Sequence, residues 1–387
     1  MRVKTTMSSQ MMRGVAARTR AATLVVAVLA GAGCLQMRLG DSESGLVLED
    51  LVTRDSRLAA RAPQPKFRSL YFGDASRKLP ADVYLPGDTV RAGMVLVPGL
   101  APAGKNDPRL VDLARTLARV QFAVMIPEVP GFRSYRIGVE DVDVLVDAVE
   151  ALAALPEMRP RMPLGVGAFS FAVGPAVIAA LDGRVAQRLD FVVGVGGYHD
   201  LRRLIAYYTT GAHRGGADTP TPYDKGKWIF ALGVSDRIPN EGDRTAIRAI
   251  ARRAIYSNLD ASDMPAPGRL TPGGAAFLEL LTNTTPDRVP GLLARLPESL
   301  KTGITALNPA EQPMGAINAT LLLLHGRGDN IIPYTESIAL AGAVPPDRSR
   351  LFIIEGLAHV DLQPTYADVD VLLEMVEALL AERAPAT

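Results

Sequence analysis

The sequence predicts an α/β protein with a mostly parallel, doubly wound sheet and a helical insertion. From residue 67 onward, short apolar segments alternate with segments of helical periodicity. Several apolar segments, such as AGMVLVPGL at 92–100, are continuous, which is typical of strands buried on both faces. Between about 200 and 318 the alternation stops and only helical periodicity remains. Strands that alternate with helices form βαβ units, so the sheet is expected to carry helices on both faces.

The elements follow one another in a regular order. Two strands separated by a polar turn come first, and the helix that follows the third strand is expected to begin at Pro108 with Asp107 as its N-cap. The remaining alternation ends in a long apolar helix at the C-terminus. Strands are predicted at 67–72, 81–86, 92–100, 121–128, 163–170, 190–197, 319–326 and 349–356, and helices of the same region at 107–120, 138–155, 171–181, 334–344 and 366–384.

Composition excludes several functional classes. The formal net charge is +1, and no basic stripe occurs after the first forty residues, so nucleic acid is not expected as a partner. The chain has one cysteine, Cys34, which rules out an intrachain disulfide and a thiolate zinc site. Its four histidines are scattered without the spacing of metal ligands. We expect no metal and no cofactor.

The N-terminus has the order of an export segment, predicted over 1–34. Basic residues precede Asp41 without any acid, and an apolar run at 21–33 leads into Cys34. That run is shorter than the ~20 residues of a membrane-spanning helix. Cys34 directly follows AGAG, which resembles a bacterial lipoprotein signal and implies lipid attachment at this cysteine. Simple cleavage after Ala32 and an uncleaved anchor stay open. An exported protein that meets the membrane only through its N-terminus is expected.

Composition also divides the rest of the chain. A stem is predicted at 35–66, where a short amphipathic piece precedes two prolines. The α/β core is expected to comprise 67–199 and 319–387, and 200–318 forms a helical cap. Because the cap leaves the core between two parallel strands, it is expected at the carboxyl edge of the sheet, where ligands bind.

Three residues follow strands at this same edge and have the chemistry of a serine hydrolase. Ser170 stands where a buried strand enters a helix, Asp329 follows the strand LLLLHG, and His359 follows LFIIEG. A serine hydroxyl needs a histidine to take its proton and a carboxylate to orient that histidine. The sequence therefore predicts Ser170 as nucleophile, His359 as base and Asp329 as the orienting acid. Asp200, after the sixth strand, stays open as an alternative acid.

With these motifs the chain resembles the α/β-hydrolase family over about 67–384. The resemblance rests on GAFSFAVG, HGRGDNIIP, GLAHVDL and the VPGL turn, and on the order Ser, Asp, His. It implies an oxyanion hole formed by the backbone N–H groups of Leu100 and Phe171. The chain departs from the family pattern in two places. Pro98 precedes the oxyanion-turn glycine where histidine is frequent, and Ala168 and Ala172 flank the serine where glycines are usual.

Four further residues lie near these motifs. His325 ends a buried strand before a glycine and is expected to be structural. Asp361 and Glu355 flank His359 but fit less well than Asp329 as its partner. His199 follows the sixth strand and could line the pocket.

The function predicted is an exported serine hydrolase that cleaves carboxylic esters through an acyl-serine intermediate. A small-molecule ester is the expected partner, and the oligomeric state is left open. Three alternatives remain: an acyltransferase that uses the same triad, a non-catalytic binding protein on the same fold and, less favoured than these, a peptidase. The cap is expected to form the acyl pocket, with Tyr207, Tyr208 and Trp228 either lining an apolar slot or fixing the cap to the core.

Overall fold

The computed structural model describes residues 39–385 except positions 54, 214–219, 258, 261–262, 267, 360 and 363–364. The export segment predicted at 1–34, with lipid attachment at Cys34, lies outside the described residues. In the part of the chain that is described, no helix combines the length and the apolar character needed to cross a membrane.

The core is an eight-stranded sheet in the order β1-β2-β4-β3-β5-β6-β7-β8. β2 is antiparallel to both β1 and β4, and every other pairing, from β3 with β4 to β7 with β8, is parallel. The predicted mostly parallel sheet is therefore confirmed. The strands are β1 Lys66–Phe72, β2 Leu79–Leu85, β3 Ala92–Val97, β4 Phe122–Pro127, β5 Leu164–Phe169, β6 Phe191–Val195, β7 Thr320–Gly326 and β8 Ser349–Ile354.

Helices connect the strands and cover both faces of the sheet, as expected for a doubly wound fold. They are α1 Glu43–Val52, α2 Arg57–Arg61, α3 Pro108–Arg119, α4 Pro130–Arg133, α5 Val139–Ala153, α6 Val173–Ala179, α7 Leu201–Thr210, α8 Gly226–Val234, α9 Glu241–Tyr256, α10 Pro272–Thr282, α11 Val289–Ala294, α12 Glu298–Ala306, α13 Thr335–Gly342 and α14 Val369–Ala381. α3 begins as predicted, since the Asp107 side chain accepts a hydrogen bond from the N–H of Arg109 and Pro108 is its first residue.

The sheet divides the apolar core into two layers. Every residue of β3, β4 and β6 is buried, because helices cover both sides of these strands. One layer contains residues of α5 and α6, such as Leu145 and Val177. The opposite layer contains residues of α3 and α14, such as Leu117 and Met375. The continuous apolar runs of the sequence are thus explained by burial on two faces.

The segment predicted as a stem at 35–66 differs from the expectation, because its helices pack on the core. Val47 and Leu48 of α1 are buried in the layer that contains α14. Ser44 of α1 donates a hydrogen bond to Glu377 of α14 at 3.1 Å. The amphipathic pattern within the predicted stem is therefore the apolar face of a docked helix.

The described residues between β6 and β7 form helices α7 to α12 and turns, with no strand among them. Apolar side chains of this insertion, including Ile247 and Phe277, belong to the same continuous cluster as Val173 beside the sheet. The helical insertion is therefore packed on the core through its apolar faces, which agrees with the stripes in its sequence.

Candidate active site

Ser170 occupies a strained turn between β5 and α6. β5 ends at Phe169, residues Ser170–Ala172 form a single 3₁₀ turn, and α6 follows. Ser170 has φ 57°, in the left-handed region that residues other than glycine rarely adopt. Such a turn exposes a nucleophile at the end of a sheet, and strain of this kind is concentrated at functional sites.

The alanines that flank this turn are tolerated. Ala168 and Ala172 are both completely buried, and the turn forms around them. A methyl group is the smallest side chain that could replace the glycines usual at these positions. The departure from the family pattern therefore leaves the geometry of the turn intact.

The predicted Ser–His–Asp residues form one chain of hydrogen bonds. His359 Nε2 lies 2.6 Å from Ser170 Oγ, and His359 Nδ1 lies 2.9 Å from Asp329 Oδ2. An ionised carboxylate only accepts hydrogen bonds, so Nδ1 carries the proton and Nε2 is left to accept from the serine hydroxyl. This is the arrangement in which a histidine can act as a general base towards a serine.

A glycine at the end of β7 allows His359 to reach this position. His359 follows a two-residue strand, β9 Leu357–Ala358, which pairs with β10 Asp361–Leu362. A Cβ at Gly326 would lie only 1.8 Å from the carbonyl oxygen of Leu357. Only glycine at this position permits β9 to pass so close to β7. His359 itself has φ 59°, a second left-handed residue of the site.

Asp329 is buried and fully hydrogen-bonded. Its Oδ1 accepts the backbone N–H groups of Ile331 and Ile332 at 2.8 and 2.9 Å. Burial on its own would raise the pKa of Asp329, but hydrogen bonds from His325 and His359 and their electrostatic attraction outweigh it and hold the pKa below the ordinary value. The carboxylate is therefore ionised and able to stabilise a charged His359.

Gly196, just after β6, completes the surroundings of the acid. It has φ 63°, and a Cβ there would lie 3.3 Å from the carbonyl oxygen of His359 and 3.5 Å from Asp329 Oδ2. The glycine therefore supplies both a left-handed turn and the space in which the carboxylate and the histidine meet.

The two residues predicted to form the oxyanion hole border one apolar cavity. Leu100, after β3, and Phe171, after Ser170, both line a cavity of about 30 Å³. Gly99 brings the first of these loops against the serine turn, since a Cβ on Gly99 would lie 3.9 Å from that of Ser170. The loops that carry the two predicted donors are thus neighbours at the carboxyl edge of the sheet.

The helical insertion supplies most of the cavity wall, but through residues that the sequence did not single out. Its contributions are Leu201, Ile229, Phe230, Gly233, Val234 and Leu307, with Ile137 and Tyr198 from the core. None of the expected residues Tyr207, Tyr208 and Trp228 lines it. They are buried instead, and the Tyr207 hydroxyl donates to the carbonyl of Asn330, next to Asp329 in the core, at 3.3 Å. All three belong to the apolar cluster that joins the insertion to the core, which is the second of the two roles expected for them.

The remaining candidates take other roles. Asp200 is the N-cap of α7, where its side chain accepts from the N–H of Arg202. Glu355 pairs with Arg327 at 2.9 Å, on the surface. The side chain of Asp361 lies outside the described residues. No group of histidines, cysteines and carboxylates that could hold a metal ion occurs in the described ranges.

His325 is buried as predicted but is closer to the site than a purely structural residue would be. Its side chain is fully buried, and Nε2 lies 3.2 Å from Asp329 Oδ2, the same oxygen that faces His359. The pattern of a histidine before a glycine at a strand end gave no indication of this contact, because the turn that returns Asp329 to His325 is a tertiary feature.

No protein-family model matches the sequence, and no curated protein matches it. Solved structures that resemble the fold include a Bacteroides ovatus protein named for dipeptidyl aminopeptidase IV (16% identity, 83% of this chain and 36% of that chain, TM-score 0.49). A puromycin-hydrolyzing peptidase of Mycobacterium tuberculosis has 16% identity over 82% of this chain and 38% of its own, with a TM-score of 0.48. Dienelactone hydrolase of Anabaena variabilis has 12% identity over 83% of this chain and 100% of its own, with a TM-score of 0.45.

The chain spans only 36% of the length of the Bacteroides ovatus protein. Sequence identities this low can bear only on the fold. The fold is therefore assigned from features of this chain. Its sheet order, its antiparallel second strand, the left-handed serine after β5 and the order Ser170, Asp329, His359 are those of one architecture. The chain has the α/β-hydrolase fold.

Proposed function

We propose that the chain is a serine hydrolase that cleaves small carboxylic esters through an acyl-serine intermediate. The observation that carries this proposal is the continuous hydrogen-bonded series from Ser170 through His359 to the buried Asp329. Each of these side chains is held by backbone geometry specific to this site. A serine that merely capped a helix would need neither the left-handed turn nor the histidine 2.6 Å from its oxygen.

The reaction follows from the positions of the protons. Ser170 Oγ attacks the ester carbonyl while its proton moves to His359 Nε2, and Asp329 stabilises the imidazolium that forms. The N–H groups of Leu100 and Phe171 are proposed to bind the oxyanion, a contact worth about 3 kcal/mol for each donor. The alcohol leaves with the proton from Nε2, and the acyl group remains on Ser170. Water then attacks, again with His359 as base, and releases the acid and the free serine.

The surroundings of the nucleophile support a short acyl group. Ser170 is 7% exposed, and the side chain of His359 is 15% exposed. The cavity of about 30 Å³ beside the proposed oxyanion donors is small and lined by apolar side chains, which favours a short apolar acyl group.

Labelling with a fluorophosphonate probe tests the proposal, with intact-mass analysis and peptide mapping of the product. We expect one label on Ser170 and hydrolysis of p-nitrophenyl acetate. The Ser170→Ala variant should lose both while its far-UV circular dichroism stays unchanged. Ser76→Ala, at an exposed serine in the turn between β1 and β2, is the matched control. Ester hydrolysis that persists in Ser170→Ala would refute the assignment.

Further substrates separate the related activities. Added alcohol acceptors measure how the acyl-serine is divided between water and transfer, and a dominant transfer product would favour an acyltransferase. Dipeptide p-nitroanilides test for peptidase action, and their hydrolysis in preference to esters would favour a peptidase. A wild-type protein that neither labels nor hydrolyses any ester would favour the non-catalytic binding role.

A further inference from the structure

His325 has contacts that set it apart from the other buried side chains near the site. Its Nδ1 lies 2.6 Å from Ser337 Oγ, and its Nε2 lies 2.8 Å from the carbonyl oxygen of Ile332 and 3.2 Å from Asp329 Oδ2. A carbonyl oxygen can only accept a hydrogen bond. Nε2 must therefore carry a proton, and this proton faces both the carbonyl and the carboxylate in a three-centre arrangement.

The Asp329 carboxylate is consequently held by four donors, two on each oxygen. Oδ1 receives the N–H groups of Ile331 and Ile332, and Oδ2 receives His325 and His359. Without His325, Oδ2 would be held only by His359, which is the ring that the carboxylate must orient. A side chain that can itself move cannot hold the Asp329 carboxylate in place. The hydrogen bond from His325 is therefore the one that keeps Oδ2 in position.

We propose that His325 is a positioning residue of the active site, whose Nε2–H fixes the Asp329 oxygen that orients His359. This inference rests on the proposed hydrolase function. His325 acts through the carboxylate and does not touch the substrate. It occupies β7 and Asp329 the turn that follows, so the strand delivers the acid and also holds it.

Other ionisable groups around Asp329 do not titrate in the range where the effect is sought. Tyr207 and Tyr208 of α7 are close enough to influence its charge electrostatically, and burial raises the pKa of both above the ordinary value. Both phenols stay neutral at neutral and acidic pH. Among the side chains that the structure describes on the β7 and β8 sides, the facing groups are His325 and His359 themselves.

Two amide substitutions at this position distinguish positioning from packing. The amide nitrogen of glutamine can reach the place of an imidazole Nε2, whereas that of asparagine reaches only the place of Nδ1. His325→Gln should therefore keep the contact with Asp329, and His325→Asn should lose it. We expect kcat per fluorophosphonate-titrated site to fall about tenfold in His325→Asn with KM nearly unchanged, and to recover in His325→Gln.

The pH profile gives a readout that packing would not change. A carboxylate with one donor fewer is a stronger base and holds the imidazolium of His359 more firmly. The acid limb of kcat/KM should therefore move to higher pH in His325→Asn and stay in place in His325→Gln. Titrating the active sites removes any effect of a smaller folded fraction.

Ser337→Ala is the matched control for structure. It removes the contact on the other side of the same ring and leaves the Asp329 contact in place, so it should lower the melting temperature without changing kcat per titrated site. In the wild-type protein, histidine ¹⁵N spectra add a measurement that needs no substitution at His325. They should show a proton on His325 Nε2 whose resonance shifts when Ser170 is phosphonylated.

An unchanged kcat and an unchanged acid limb in both amide variants would overturn the inference, as would a His325 resonance that is insensitive to phosphonylation. Such results, combined with loss of activity in Ser170→Ala, would leave the hydrolase function intact. Activity that survives in Ser170→Ala would instead overturn the proposed function itself.

Discussion

Ser170 and His359 are separated by 189 positions in the chain, yet their Oγ and Nε2 atoms lie 2.6 Å apart. Both residues also have left-handed backbone conformations, with φ values of 57° and 59°. Each such residue costs about 1–3 kcal/mol unless the surrounding structure compensates for it. Two strained residues that meet at a hydrogen bond indicate a geometry maintained for chemistry, because neither conformation is needed to build the sheet.

The identity of the acid can be tested by comparing two aspartates. Asp329→Asn should lower kcat by about three orders of magnitude, because an amide cannot stabilise the imidazolium and favours the wrong tautomer. Asp200→Asn should leave kcat nearly unchanged, since Asp200 caps α7 and asparagine is also a good cap. Steady-state kinetics with p-nitrophenyl acetate measures both. A larger loss in Asp200→Asn would show that the acid has been misassigned.

The size of the acyl pocket should respond to Val234 at the end of α8. Val234 lines the apolar cavity, so Val234→Ala removes two methyl groups from its wall. We expect kcat/KM for p-nitrophenyl butyrate to rise about tenfold relative to the acetate, since each methylene in an apolar pocket is worth about 1–3 kcal/mol. Val52→Ala, at an exposed position in α1, is the control. An unchanged chain-length profile in Val234→Ala would mean that this cavity does not hold the acyl group.

Stability should depend on pH through Asp141, at the start of α5. Burial raises the pKa of Asp141 to about 6, although the N–H of Gly138 donates to its carboxylate at 2.7 Å and partly opposes this shift. The folded pKa lies above the unfolded value of about 3.9. The protonated Asp141 carboxyl therefore makes its full contribution to the free energy of unfolding below about pH 4. This contribution is lost as the pH rises from about 4 to 6.

The Asp141→Asn variant should remove this dependence. Its free energy of unfolding in urea, relative to wild type, should rise across the same window and reach a gain of about 1–3 kcal/mol at pH 7. Glu150→Gln, at an exposed position of the same helix and absent from the groups that shift the pKa of Asp141, is the control. A difference between Asp141→Asn and wild type that is constant from pH 4 to 7 would contradict the prediction.

Export and anchoring are proposed from the sequence alone. In a bacterial host with lipoprotein processing, the full chain should be found in the membrane fraction and incorporate labelled palmitate. Cys34→Ser should lose the label and move to the soluble fraction, since one cysteine is the only acylation site of this kind. A wild-type protein that stays in the membrane without palmitate would instead favour an uncleaved anchor, and a soluble wild-type protein would favour simple cleavage.

The sequence by itself determined the α/β alternation, the strands buried on two faces and the three residues of the hydrogen-bonded series. These features are local: apolar runs, helical stripes and polar residues directly after strands are visible in the order of residues. Because parallel strands place their carboxyl ends at one edge, the sequence could also predict that Ser170, Asp329 and His359 would come together. The sequence did not predict the docking of α1, because an amphipathic pattern does not indicate which surface covers the apolar face of a helix.

Only the tertiary structure decided which neighbours complete the site. The sequence preferred Asp329 to Asp200, but only the structure shows that the turn after β7 places Asp329 at His359, whereas Asp200 lies at the N-terminus of α7. The cavity wall from Phe230 and Val234, in place of the tyrosines, depended on how the inserted helices rotate against the core. The contact of His325 with Asp329 likewise depends on a turn closing back on its own strand. Such contacts arise from tertiary packing, and no periodic pattern in the sequence predicts them.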